Sequence, residues 1–369
     1  MIKQILADLV RIDSVSSRSN VEIIEYLEDR CEALGLMTRR YPYLDELGVE
    51  KFNLVALSAA ADEVELALVG HTDTVPYDPH WTEATNLTER DGKLFGRGSC
   101  DTKGFIAAAL TAVENVKINK PLALIFTADE ETGLRGAKLL AEAKPLRVRY
   151  SIVGEPTSLK PIRAGKGYSL AEVLVKGREA HSAYPALGAS AVFRAARLIN
   201  RLESIAEQLK QDQHDAFDPP YTTLNVGLIH GGSAKNVLAG ECRFTLEWRP
   251  IPTQPSEHVL ELFLAALEAE KQIDSGLECE VDANRQDTGF ETAPDSPLIR
   301  LLENVTGNPS GTVAFGTEAA QMMALGSESV VIGPGDIRQA HRTGEFVPID
   351  ELERCAEILR QSITQLCSP

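Results

Sequence analysis

The chain lacks the features that mark several large classes of protein. Its six cysteines form no C-x-x-C pair and show no regular spacing, which excludes a disulfide framework and a zinc ribbon. No apolar run reaches the ~18 residues that a membrane-crossing helix needs. Residues 1–17 alternate apolar and polar side chains at helical period, unlike a signal peptide. These absences predict a cytoplasmic protein that has no membrane association.

Positive charge is also scarce. The sequence holds 37 Lys and Arg residues against 54 Asp and Glu residues, a formal net charge of -17. Phosphate backbones and anionic lipids bind basic surfaces, so this balance argues against nucleic acid or membrane as a partner. The length of 369 residues exceeds the ~250–300 at which one hydrophobic core stops growing, so two domains are expected.

The motifs of several catalytic families are missing as well. There is no G-x-S-x-G elbow, no H-E-x-x-H helix, no G-x-x-x-x-G-K-[ST] loop and no G-x-G-x-x-G after a strand. Cys100 has no evident histidine partner, so a small buried side chain is favoured over a nucleophile at this position.

Helices alternate with apolar strands at both ends of the chain. This pattern predicts an α/β fold with a doubly wound, mostly parallel sheet. Between residues 167 and 285 the order becomes β-α-β-β-α-β, the ferredoxin-like α+β unit. We therefore expect a split domain over 1–166 plus 286–369 and an inserted domain over 167–285.

Acidic and imidazole side chains cluster where predicted strands end or helices begin. In an open α/β sheet, ligands bind beyond the carboxyl ends of the strands. Two imidazoles and several carboxylates at one edge form a mixed nitrogen and oxygen set that suits zinc, cobalt or manganese. The residues are His71, Asp73, Asp101, Asp129, Glu130, Glu131, Glu155 and His341.

Each of these residues also has an ordinary explanation. Asp101 could cap the following helix, and Glu130 and Glu131 could complement a helix dipole. Glu155 before a proline is typical of a turn, and His341 of an exposed loop. The convergence of all of them at one edge favours the metal site, and a cation there offsets the repulsion within the run of three acids.

Four stretches carry a family resemblance. "GHTDTVP", "GRGSCDTKG", "TADEETG" and "VGEPT", followed by the late His341, resemble the co-catalytic zinc amidohydrolases over nearly the whole chain. The resemblance implies two divalent metal ions, Zn²⁺ with Co²⁺ as a substitute, and a shared carboxylate between them. The implied ligands are His71, Asp101 and Glu155 for one ion and Asp101, Glu131 and His341 for the other. Glu130 is the implied general base, and Asp73 the residue that orients His71.

The resemblance also assigns roles in the inserted domain, which it makes a lid and a dimerisation domain. His181 of "AHSAYP" would stabilise the oxyanion, in its own subunit or in that of a partner. Asn236 and Arg249 would hold a substrate carboxylate, although an exposed loop histidine and an ordinary strand arginine are the alternatives. Gly316 and Thr317 of "FGTEAA" are further expected substrate contacts.

The implied reaction is hydrolysis of an N-acyl amino acid by a homodimer. Three stretches, "GPGDIRQAH", "FGTEAA" and "TLNVGLIHGGSAKN", resemble the branch of the family that removes acetate from N-acetyl-L-ornithine in arginine biosynthesis. This substrate is therefore expected. Succinyl-diaminopimelate, a dipeptide and another N-acyl amino acid such as acetylcitrulline are the alternative substrates. A catalytically inactive relative that binds amino acids or a protein is the alternative outside the enzymes.

Overall fold

The computed structural model describes residues 1–368, which form two compact units. The larger unit comprises Met1–Arg163, Glu291–Gly311 and the chain from Thr317 onward, and the smaller comprises Ala164–Phe290 and Thr312–Gly316. The sequence placed boundaries at 166/167 and 285/286, near two of these junctions, and did not predict the return of 312–316 to the smaller unit. The functions assigned to the two domains stay predictions.

Regular elements cover most of the described chain. The helices are α1 (Ile2–Arg11), α2 (Val21–Ala33), α3 (Lys103–Val113), α4 (Arg135–Ala143), α5 (Ala191–Leu209), α6 (His258–Ile273), α7 (Pro297–Thr306), α8 (Ala319–Ala324) and α9 (Ile349–Cys367). The strands are β1 (Met37–Leu44), β2 (Glu50–Leu57), β3 (Glu63–His71), β4 (Thr88–Arg90), β5 (Lys93–Phe95), β6 (Leu122–Thr127), β7 (Arg147–Val153), β8 (Ile162–Gly165), β9 (Tyr168–Lys176), β10 (Thr223–Gly231), β11 (Glu241–Arg249), β12 (Glu278–Asp287), β13 (Phe290–Glu291), β14 (Gly311–Val313), β15 (Glu328–Val331) and β16 (Phe346–Pro348).

The main sheet of the larger unit is parallel at its centre. Six of its nine strands run in the order β1-β2-β6-β3-β7-β15, and β6, β3, β7 and β15 are mutually parallel. The strands β1 and β2 are antiparallel to their neighbours. Every residue of β6 is buried, as expected of a central strand that is covered on both faces. The predicted α/β fold class is confirmed.

Helix α3 is buried nearly all round. Ten of its 11 residues are buried, because it packs between α1, α9 and strand β3. Its apolar sequence, with four alanines and no acid, matches this central position. The loop that carries Asp101 therefore precedes a helix that is fixed in the core.

The smaller unit contains a four-stranded antiparallel sheet in the order β10-β11-β9-β12. Helices α5 and α6 pack against each other over a core that includes Trp248, Phe244 and Phe263. The chain order β-α-β-β-α-β with this strand order is the ferredoxin-like arrangement, as predicted.

The described residues also bear on two sequence expectations. No helix among them is long and apolar enough to cross a membrane. All six cysteines are free, and five of them are buried. Nothing in the described fold therefore conflicts with the absence of a disulfide framework.

Candidate active site

One carboxylate lies between two imidazoles at the carboxyl edge of the main sheet. His71 Nε2 is 3.1 Å from Asp101 Oδ1, and His341 Nε2 is 3.1 Å from Asp101 Oδ2. His341 Nε2 is also 3.0 Å from Glu131 Oε1. One ligand atom from each of His71, Asp101 and Glu131 lies within 4.8 Å of the others. This arrangement offers one donor set on each side of the Asp101 carboxylate.

The backbone explains how residues distant in sequence meet here. Strands β3 and β6 are parallel neighbours with His71 opposite Thr127, so the run of three acids starts beside His71. The Thr102 hydroxyl donates to the His71 carbonyl over 3.1 Å and fixes the start of α3 against the end of β3. His341 has a φ of 58°, a left-handed conformation that costs a non-glycine residue energy and is typical of functional sites.

Asp73 supports both halves of the site. Its carboxylate accepts hydrogen bonds from the Ser16 hydroxyl (2.7 Å) and from the backbone amides of Glu130 (3.1 Å) and Glu131 (3.3 Å). His71 Nδ1 lies 3.0 Å from the Asp73 backbone carbonyl and 3.6 Å from its carboxylate. The carbonyl contact therefore presents His71 Nε2 to Asp101, while the carboxylate positions the neighbouring acids.

The first acid of the "DEE" run does not join the cluster. Asp129 Oδ1 accepts from the buried ammonium of Lys51 over 2.9 Å, and Asp129 Oδ2 accepts from the Tyr43 hydroxyl over 2.8 Å. Burial raises the pKa of Asp129, and the Lys51 bond opposes that shift. One of the three adjacent charges is thus compensated by β1 and β2, which leaves Glu130 and Glu131 at the cluster.

Two acids of the site, Glu130 and Glu155, strongly disfavour their own charged forms. Burial raises the pKa of Glu130 well above its usual range, opposed by His71 and reinforced by the charge of Glu131. Burial, then the charges of Asp101 and Glu130, raise the pKa of Glu155 well above its usual range. Glu155 is buried but does not belong to the group of three within 4.8 Å. A divalent cation is the natural compensation for such a set of carboxylates.

The pKa values of the two imidazoles are also raised, which for a histidine favours the charged form. Hydrogen bonds that His341 donates to Asp101 and Glu131 raise its pKa to about 10. Burial opposes protonation of His71, yet its bonds to Asp101 and Asp73 raise its pKa well above the usual range. A metal ion ligates the neutral imidazole, so cation binding displaces these protons.

The shift at His341 predicts a pH-dependent stability of the protein after treatment with a chelator. The folded pKa of about 10 exceeds the unfolded value of roughly 6.5, so protonated His341 stabilises the fold below pH ~6.5. This contribution is lost as the pH rises toward the folded pKa. We expect the melting temperature to fall over that window and to fall less steeply in His341→Asn.

The matched control for this measurement is His80→Asn, because the His80 side chain is 95% exposed and pairs only with Asp78 among the described contacts. Its slope of melting temperature against pH should equal that of the unsubstituted protein. Equal slopes for His341→Asn and the unsubstituted protein would contradict the assigned protonation of His341.

The structure excludes several ordinary explanations of these residues. The N-cap of α3 is Thr102 and makes no side-chain capping bond, so Asp101 is not a helix cap. Glu131 contacts His341 rather than only facing a helix end. Burial, then the charge of Glu345, raise the pKa of the Cys100 thiol well above its usual range, which disfavours the reactive thiolate form.

The predicted substrate-binding residues of the smaller unit lie at two separate positions. His181 is exposed and forms an isolated antiparallel β-bridge with Val237, the residue that follows the predicted Asn236. The Arg249 guanidinium lies 4.5 Å from the centre of the Tyr168 ring, and its Nε donates to Glu247 over 2.9 Å.

The two remaining predicted contacts lie on either side of a unit boundary. Gly316 is the last residue of the smaller unit's second segment, and Thr317 begins the next segment of the larger unit. Thr317 is buried, and its hydroxyl accepts from the Ala319 amide over 3.3 Å. The roles of the smaller-unit residues and of Thr317 stay predictions.

Sequence reasoning missed several polar residues around the cluster, most of which are buried. The acid Glu318 accepts from the Thr127 hydroxyl, and burial raises its pKa to about 7. Lys51 and Tyr43 anchor Asp129, and Glu345 contacts the segment of Asp101. Only Glu318 had a local signal, because it lies in the "FGTEAA" stretch that was already singled out.

Comparison with known proteins agrees with the geometry. Residues 67–365 match the family described as peptidase family M20/M25/M40. The chain is 50% identical to an acetylornithine deacetylase of Myxococcus xanthus, over 99% of this chain and 97% of the relative. It is 36% identical to an acetylornithine deacetylase of Klebsiella pneumoniae (strain 342), over 95% and 92% respectively.

A solved structure shares the fold. The crystal structure of a tripeptidase from Staphylococcus aureus superimposes with a TM-score of 0.78 at 23% identity, and covers 100% of this chain and 98% of that one. With the family match over residues 67–365 and the two relatives, these findings establish that the chain is a member of peptidase family M20/M25/M40.

Proposed function

We propose that the protein is a cytoplasmic enzyme of arginine biosynthesis that hydrolyses N-acetyl-L-ornithine to ornithine and acetate. The observation that carries the chemistry is the Asp101 carboxylate, with one imidazole at each oxygen. The substrate follows from the relative that is 50% identical over nearly the full chain. In this reaction the amide C–N bond breaks, water oxygen joins the acetyl carbon, and a proton passes to the departing amine.

The donor set fits two divalent cations, Zn²⁺ with Co²⁺ as a substitute. The proposed ligands are His71, Asp101 and Glu155 for one ion and Asp101, Glu131 and His341 for the other. Nitrogen and carboxylate donors are the usual ligands of zinc, and Asp101 offers one oxygen to each side. When bound, such ions polarise the amide carbonyl and lower the pKa of water.

Glu130 is the proposed general base. Its backbone amide donates to the Asp73 carboxylate over 3.1 Å, which fixes the backbone at this position of the site. Its raised pKa lies in the direction that a proton carrier near neutral pH requires. Glu130 would take the proton of the attacking water and deliver it to the amine nitrogen of ornithine.

The smaller unit would bind the rest of the substrate as a lid. His181 is proposed to stabilise the oxyanion. Asn236 and Arg249 are proposed to hold the carboxylate of the amino acid, and Gly316 and Thr317 are proposed as further substrate contacts. The Tyr168 ring and the Glu247 carboxylate together fix the orientation of the Arg249 guanidinium, whose planar fork of donors suits a carboxylate.

The substrate assignment is tested by comparing kcat/KM for four compounds with Zn²⁺ or Co²⁺ added. They are acetylornithine, acetylcitrulline, succinyl-diaminopimelate and an unsubstituted dipeptide. We expect the highest value for acetylornithine, by about 10-fold or more, because a pocket that pairs a substrate's polar groups penalises analogues that lack them. A higher value for the succinylated compound would replace the proposed substrate.

We also propose that the protein is a homodimer joined through the smaller unit. Strand β10 is an edge strand of its sheet and exposes Leu228 (59%) and Ile229 (51%), while Phe193 on α5 is 71% exposed. An unpaired edge with apolar side chains favours pairing with a second chain.

The dimer predicts a clear result in sedimentation. Leu228→Lys should convert the protein to a monomer, because charge on an edge strand opposes pairing. Leu264→Lys on α6, where the side chain is 41% exposed, is the control and should leave the dimer intact. A monomeric unsubstituted protein at the assay concentration would contradict this proposal.

A further inference from the structure

Glu345 is a fully buried carboxylate that accepts a hydrogen bond from the backbone amide of the candidate metal ligand Asp101. Its exposure is 0%, and its Oε1 accepts hydrogen bonds from the backbone amides of Cys100 (3.0 Å) and Asp101 (3.1 Å). Its other oxygen, Oε2, accepts from the Arg97 guanidinium, which is also buried. Both carboxylate oxygens therefore accept hydrogen bonds from the same loop, Oε1 from two backbone amides and Oε2 from the Arg97 side chain.

The backbone of Glu345 is fixed as well. Its carbonyl accepts from the Gly96 amide over 3.1 Å, and the next residue, Phe346, pairs with Phe95 in the β16–β5 ladder. Arg97 in turn donates to the Pro76 carbonyl over 3.2 Å and lies over the Trp81 ring. The backbone of Glu345 and the side chain of Arg97 are thus both anchored, and together they fix the carboxylate that contacts the Asp101 segment.

The position of Glu345 in the chain gives this contact a second consequence. It lies four residues after His341, the imidazole 3.1 Å from Asp101 Oδ2. One short segment therefore supplies an imidazole to one side of the cluster and fixes the backbone of the carboxylate at its centre. A displacement of this segment would move His341 and Asp101 together.

We propose that Glu345, with Arg97 as its counterion, is a positioning residue for the metal centre. It sets the distance between Asp101 and His341 and thereby tunes the affinity for the divalent cation. The inference rests on the proposed function, because it assumes that these residues bind metal. Partners that orient metal ligands typically change metal affinity by about 10–100-fold when they are substituted.

The test is the Co²⁺ affinity of Glu345→Gln, measured by competition with a chromophoric chelator, together with the visible spectrum of the Co²⁺-loaded protein. Glutamine replaces one of the two carboxylate oxygens with an NH2 group that only donates. Its side chain therefore cannot accept from Arg97 and from both loop amides at once. We expect the dissociation constant to rise by about 10–100-fold and the Co²⁺ spectrum to change.

A matched control separates positioning from a purely structural ion pair. Glu270→Gln on α6 alters another buried carboxylate, 3% exposed, which accepts from Arg197 and Arg201. It should lower the melting temperature while the Co²⁺ affinity stays at the value of the unsubstituted protein. Should Glu345→Gln fail to fold, the double variant Arg97→Met/Glu345→Met removes both buried charges at similar volume and should fold with the same loss of affinity.

The outcomes are distinct. A Co²⁺ affinity and spectrum in the folded Glu345 variant equal to those of the unsubstituted protein would overturn the positioning role and leave the proposed function standing. An unsubstituted protein that binds no stoichiometric Co²⁺ would overturn the metal centre, and this inference with it.

Discussion

Glu130→Gln should bind metal normally and turn over acetylornithine about 10²–10⁴-fold more slowly than the unsubstituted protein. The amide cannot accept a proton from water, while the ligand atoms of His71, Asp101 and Glu131 remain in place. The loss should therefore fall on kcat, with little change in KM. Steady-state kinetics and elemental analysis of the same preparation measure both quantities.

The control for this variant is Glu142→Gln, which makes the same chemical change at an exposed position of helix α4. It should leave both kcat and metal content unaltered. If Glu130→Gln kept a rate near that of the unsubstituted protein, the assignment of Glu130 as the proton carrier would be wrong.

Asp101→Asn should have the second large effect, through metal content rather than proton transfer. Asp101 is the only one of the described residues whose two carboxylate oxygens each lie 3.1 Å from a different candidate imidazole ligand. An amide offers one oxygen in place of two and carries no charge. We expect the protein to retain at most one metal equivalent and to lose about 10³-fold or more in kcat/KM, since metal ions supply several kcal/mol of transition-state stabilisation.

Asp78→Asn is the matched control, since Asp78 also accepts from a histidine, His80, but lies at the exposed surface. It should keep full metal content and activity. Two tightly bound equivalents in Asp101→Asn would contradict a bridging role for Asp101.

The residues at the centre of the site could be predicted because their signal is local. Each follows an apolar strand or precedes a helix, and parallel strands bring their carboxyl ends to one edge. The sequence thus placed His71, Asp101, Glu131 and His341 together before any coordinates, and the structure brings them into contact.

The supporting residues could not be predicted in the same way. Lys51 contacts Asp129 from 78 positions away, and Glu345 contacts Asp101 from 244 positions away. A buried charge has no local pattern that names its partner, because the partner depends on how distant strands pack. Strand β1 also has no clear local signal, since "MTRRYPYL" mixes polar and apolar residues and contains a proline.

The role of Asp73 shows a subtler limit. The resemblance implied a contact between Asp73 and His71, and alternation in an extended segment places both side chains on the same side. The contact exists, but the shorter distance is to the Asp73 backbone carbonyl, and the carboxylate instead accepts from the amides of Glu130 and Glu131. Periodicity gives the direction of a side chain and does not reveal which of several nearby donors it binds.

The central claim is that paired cations occupy the space around Asp101. Anomalous diffraction at the zinc absorption edge, from crystals of the zinc-loaded protein, tests it most directly. We expect two peaks about 3.5–4 Å apart, one beside His71 and Glu155 and one beside Glu131 and His341, with Asp101 between them. Full zinc loading in solution with no anomalous peak at Asp101 would contradict it.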